Sequence, residues 1–119
     1  MPQANVVMNV RKANATTSII DIQGDLSAAA ENTLMDAYTQ ASASTTRVIV
    51  LNFSGLAYMN SSGIGLLVTL LIRMNRQKQR LLCCGLSEHY QHIFKLTRLS
   101  DVIKMYPNEQ EALAAADMP

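Results

Sequence analysis

Arg47-Val48-Ile49-Val50-Leu51-Asn52-Phe53 leads on to Tyr58-Met59-Asn60-Ser61-Ser62-Gly63-Ile64-Gly65 and then to Leu66-Leu67-Val68-Thr69-Leu70-Leu71-Ile72. The first run is rich in β-branched residues and apolar almost throughout, which predicts a strand over 48–53 buried on both faces. The last predicts a helix over about 62–79 whose apolar side packs under a sheet. Between them, two adjacent hydroxyls stand where strand gives way to helix. At such a turn the first backbone N–H groups are unpaired and the helix dipole favours negative charge. A serine placed there can cap the helix, bind an anion or carry a phosphate.

Outward from this centre the alternation continues. Strands are expected over 6–12 and 18–23, joined through Ala13-Asn14-Ala15-Thr16-Thr17. Gly24 breaks the second strand, and a helix follows from Ser27, its expected N-cap, to about Ser42. A strand over 81–86, a short helix capped by Ser87 and running through Thr97, a strand over 102–106 and a final helix opened by Pro107 complete the order. Strand and helix alternating from residue 18 onward predict one α/β domain over 1–119. Its sheet is mostly parallel, of about five strands, with helices packed on it.

Charged residues make up 16% of the 119 residues and hydrophobic ones 49%, against an average charged share of about 25%. That balance implies a large buried fraction and a surface that another protein covers. The net charge of +1 supplies no general pull toward nucleic acid or an anionic membrane. Met1-Pro2-Gln3-Ala4-Asn5-Val6-Val7 has neither the basic nor the long apolar part of a signal peptide. The longest greasy segment, 63–72, is well short of the roughly 20 residues that span a bilayer. A cytoplasmic protein without membrane insertion is therefore expected. Cys83 and Cys84, adjacent inside an apolar run, are read as buried reduced thiols.

Catalytic constellations are sparse. His89 and His92 stand three apart beside Glu88, where helical metal motifs space histidines by four. The basic stretch from Arg73 to Arg80 suits a solvated helix C-terminus, where cations complement the dipole. Gly63-x-Gly65 lacks the lysine of a phosphate-binding loop. No catalytic residue, cofactor or metal ligand is expected. For the serines, the bland alternative is that one of them caps the helix while Gly63 and Gly65 permit close helix–sheet packing. Against it stand a redundant second hydroxyl and a position at the carboxyl end of a central strand, where open α/β sheets place their sites.

The segment from Val48 to Leu67, with Asn60-Ser61-Ser62-Gly63-Ile64-Gly65 at its heart, resembles the signature of STAS domains, the anti-sigma factor antagonist family. Ile20-Asp21-Ile22-Gln23-Gly24-Asp25-Leu26 is similar to the family's early strand and Gly-Glu/Asp-Leu turn. Leu81-Leu82-Cys83-Cys84-Gly85-Leu86 matches the strand before its third helix. The resemblance implies a non-enzymatic regulator that binds an anti-sigma factor with serine-kinase activity and is phosphorylated at Ser61. It also implies a docking face of Asp25, Ser27, Met59, Asn60, Ser61, Ser62, Gly63 and Ile64. Two positions depart from the family pattern: Asn60 replaces an acidic residue, as does Ser27. Two other functions compete with this one. The first is a constitutive, non-phosphorylated adaptor in a signalling assembly or a membrane transporter; the second is an enzyme using Cys83 or Cys84. The oligomeric state is not encoded in any of these features.

Overall fold

A computed structural model describes residues 5–118. In chain order it contains β1 (Val6–Lys12), β2 (Thr17–Leu26), a 3-10 turn (Ala28–Ala30), α1 (Glu31–Ala41), β3 (Val48–Met59) and α2 (Ser61–Arg76). There follow β4 (Arg80–Cys84), α3 (Glu88–Leu96), a second 3-10 turn (Leu99–Asp101), β5 (Lys104–Tyr106) and α4 (Glu109–Ala116). The sheet order is β1-β2-β3-β4-β5, with β1 antiparallel to β2 and every other pair parallel. The expected five-stranded, mostly parallel α/β sheet is therefore present. Residues 1–4 and 119 of the expected domain lie outside the described residues.

The near-continuous apolar runs have a simple cause. One face of the sheet, with Ile20, Ile49, Leu51 and Phe53, packs against Leu34 of α1, Leu67 and Leu70 of α2 and Phe94 of α3. The other face, with Ile19, Val48, Val50, Leu82 and Cys84, is closed by Ala112 of α4. Alternate side chains of the central strands are thus buried on opposite sides. At the first hairpin, Asn14 Oδ1 accepts from the backbone N–H groups of Thr16 and Thr17 at 2.9 and 3.0 Å, stabilising the turn.

Several boundaries differ from expectation. Gly24 does not end β2. It adopts φ +98°, and a Cβ there would strike the Asn5 carbonyl, so glycine lets the strand continue to Leu26 beside β1. β3 runs on to Met59 rather than stopping at Phe53, because β2 accompanies it. The pairing passes from Asp21/Asn52 to Gln23/Gly55 and from Gly24/Leu56 to Asp25/Tyr58, placing an extra β3 residue at each step. Two such bulges bend β3 outward until Met59 lies opposite Leu26.

Ser27 makes no side-chain cap; α1 is led in by the 3-10 turn, whose Ala30 N–H bonds the Ser27 carbonyl at 2.9 Å. Ser87 likewise makes no side-chain cap. The last helix is capped by Asn108, whose Oδ1 accepts from the Glu111 N–H at 2.9 Å, leaving Pro107 just outside it. β4 ends at Cys84, before Gly85 turns the chain at φ +73°. β5 is confined to three residues, with Val102 exposed in the preceding turn. α2 ends at Arg76, where Lys78 takes φ +58°.

Candidate functional site

The strand-to-helix turn is built from β3, α2 and the end of β2. Asn60 has extended backbone (φ −108°, ψ −176°), and its side-chain oxygen accepts from the Gly63 N–H at 3.0 Å. Its carbonyl accepts from the Ile64 N–H at 3.0 Å. Neither serine is the cap; Asn60 is. Ser61 and Ser62 are both exposed, and neither hydroxyl has a hydrogen-bond partner among the described residues. They occupy the first two positions of α2, whose backbone N–H groups face outward. The redundancy of hydroxyls noted in the sequence is therefore greater than expected: both are free.

Three contacts fix the turn against the body of the domain. The Asn60 N–H donates to the Leu26 carbonyl at 3.3 Å. Gly63 is buried against that same carbonyl, and a Cβ on it would collide with the Leu26 backbone. Gly65 does not share this role: it faces open space. From α3, the Tyr90 hydroxyl accepts a hydrogen bond from the Met59 N–H at 2.9 Å. Nothing in the sequence signals this prop, because a phenol's polar tip is invisible to helical periodicity.

The residues implied as a docking face come together, but not equally at the surface. Ser61 and Ser62 are exposed, while Asp25, Ser27, Asn60 and Ile64 are half-buried. Met59 and Gly63 are buried and shape the turn from beneath. Asp25 stands opposite Tyr58 in the β2–β3 ladder, its backbone N–H and carboxylate both bonded to Asn5. The 3-10 turn after Ser27 packs on α2, so the two loops form one continuous end of the molecule.

Other candidate chemistry is poorly placed. Burial pushes the Cys83 thiol up to about 12 and the Cys84 thiol up to about 11. Both are free and buried, so neither supplies a thiolate near neutral pH. Among the described residues no group of three or more His, Cys, Asp or Glu gathers for a metal ion. No helix there is long and apolar enough to cross a membrane. A polar network that sequence reasoning did not single out lies on the α4 side of the sheet. Arg11 donates to Asp21 at 2.6 and 2.8 Å and also to Glu109 of α4, while Asn52 donates to Asp21 at 2.8 Å.

The sequence of residues 7–112 matches the family model of the STAS domain. This chain belongs to the STAS domain family. The anti-sigma-B factor antagonist of Staphylococcus aureus (strain NCTC 8325 / PS 47) is 30% identical over 90 residues, covering 76% of this chain and 82% of the relative. Among solved structures, an anti-sigma factor antagonist from Mycobacterium paratuberculosis superposes with a TM-score of 0.79 at 17% identity, covering 96% of this chain and 97% of the other. The Bacillus cell fate determinant SpoIIAA in its phosphorylated form superposes with a TM-score of 0.66 at 21% identity, covering 92% and 99%. For this STAS domain the two superpositions corroborate the fold.

Proposed function

We propose that this STAS domain is a non-catalytic protein-binding regulator, an anti-sigma factor antagonist whose docking to an anti-sigma factor with serine-kinase activity is switched by phosphorylation of Ser61. The observation that carries this reading is the exposed Ser61 hydroxyl at the start of α2, unengaged because Asn60 caps the helix in its place. A phosphate there adds about −1.5 to −2 charges beside outward-facing N–H groups that tolerate it. The core needs no rearrangement. Charge and bulk at the rim of the Asp25–Ser27 and Asn60–Ile64 loops oppose a partner seated on them. The names of the Staphylococcus relative and of both solved structures support the partner class, and the phosphorylated SpoIIAA supports the switch.

Incubation with the kinase-type anti-sigma factor of the same organism and Mg-ATP should add one phosphate, read by intact-protein mass. Ser61→Ala should abolish the addition and Ser62→Ala should keep it. Phosphorylated protein should lose the complex on size exclusion. Failure of wild-type protein to gain mass removes the switch.

Asn60 favours a second reading. It keeps the cap but lacks the carboxylate that precedes the serine in the family pattern, which suits a constitutive adaptor in a signalling assembly or a transporter. Binding that is indifferent to Ser61→Asp would select that reading.

A further inference from the structure

At the far end of α2, about 18–22 Å along the helix from Ser61, lies a cleft of about 340 Å³ between α1 and α2. Tyr38, Thr39 and Ser42 line one side, and Arg73, Arg76 and Gln77 the other. We propose that this cleft binds a phosphate-bearing small molecule, its phosphoryl oxygens held between Arg73 and Arg76.

Cations near a helix C-terminus ordinarily serve its last carbonyls. Here two of those carbonyls, of Met74 and Asn75, are already occupied by backbone N–H groups. The Gln79 N–H bonds the Met74 carbonyl at 2.9 Å and the Lys78 N–H bonds the Asn75 carbonyl at 3.1 Å, closing α2 in a Schellman turn with Lys78 left-handed. The arginines are therefore released toward α1. Arg73 lies 5.3 Å above the Tyr38 ring and donates to Met35 Sδ at 3.4 Å. Neither Arg73 nor Arg76 forms an ion pair among the described residues.

The floor beneath them is a built polar chain. The Tyr38 hydroxyl donates to Gln79 Oε1 at 2.7 Å, and Gln79 Nε2 donates to Ser42 Oγ at 2.9 Å. Tyr38 and Gln79 are both buried, so the chain is rigidly placed. Because Ser42 Oγ is held as an acceptor, its own O–H remains available to donate into the cleft. Two guanidiniums, a hydroxyl and the Gln77 amide N–H groups make a donor-rich set, with no carboxylate in the lining, suited to a multiply charged anion. The volume lies at the lower end of small-ligand sites and exceeds that of a single inorganic ion.

Titration calorimetry with inorganic pyrophosphate, in buffer free of phosphate and sulfate at fixed ionic strength, tests this. One equivalent should bind saturably, and Arg73→Gln with Arg76→Gln should weaken it about tenfold or more. Because Arg73 also packs on Tyr38, the exposed Gln77→Glu is the second variant; its carboxylate should occupy the guanidiniums and weaken binding while the melting temperature holds. Arg98→Gln, at an exposed arginine elsewhere, should bind as wild type. Tighter binding of ADP than of pyrophosphate would assign the phosphate to a nucleotide, and equal binding to the phosphoryl groups alone. No saturable binding to wild type, undiminished binding by Gln77→Glu, or equal loss in Arg98→Gln would overturn the proposal. No partner protein enters the measurement, so its outcome is separate from that of the Ser61 experiment.

Discussion

Asn60 carries the structural half of a position whose functional half is open. Its side-chain oxygen accepts from the Gly63 N–H, so it performs the capping that an aspartate at this site would perform. Asn60→Ala should cost about 1 kcal/mol in urea denaturation, the usual worth of an N-cap. Asn60→Asp should hold that stability or gain about 0.3–1 kcal/mol, since a carboxylate also faces the positive end of α2. Equal stability of Asn60→Ala and wild type would mean that the cap carries no weight. The serines gain their freedom from this one neighbour: with Asn60 as the cap, α2 makes no demand on either hydroxyl.

At the scale of the element, α2 shows two glycines of opposite consequence. Gly63 sits where α2 crosses the end of β2, and the Leu26 carbonyl leaves no space for a Cβ. Gly65, one half-turn on, faces open space. Gly63→Ala should therefore destabilise the fold by about 1–3 kcal/mol through overpacking against rigid backbone. Gly65→Ala should stabilise it by about 1 kcal/mol, because alanine is the better helix former where nothing opposes it. The two midpoints in urea, compared with wild type, check the pair of signs. A Gly-x-Gly in a sequence does not distinguish them, since the difference lies in a strand end almost forty residues earlier.

Across the whole molecule, α4 is tied to the opposite edge of the sheet. Arg11 on β1 bridges Asp21 on β2 and Glu109 on α4, spanning the face that α4 closes with Ala112. The Arg11 hydrogen bond holds the Asp21 carboxyl below its usual value of 3.8, against the opposing effect of burial. A carboxyl whose pKa is lower folded than unfolded stabilises the fold at pH above the unfolded value. That contribution fades as pH falls through the folded one. Urea midpoints of wild type and Asp21→Asn should thus differ near neutral pH and converge below about pH 4. A gap that persists unchanged into acid would show that the carboxylate's charge is not what Arg11 recognises.

The order of strands and helices, the two-faced burial of the central strands and the place of Ser61 at the start of α2 were all legible in the chain itself. Each is written in local chemistry: β-branched runs, helical periodicity, and a polar turn at the carboxyl end of a strand. The Val48–Leu67 signature reached further, to the family. What needed the tertiary structure were features in which one segment answers another. Met59 continues the sheet only because β2 follows β3 through two bulges. Tyr90 props the turn from α3, and Arg11 clasps α4 across the sheet. Arg73 and Arg76 face a cleft where a Schellman turn satisfies the Met74 and Asn75 carbonyls and α1 supplies Tyr38 and Ser42. A sequence records which side of an element is apolar; which polar atoms meet across elements depends on distances that only the packed chain defines.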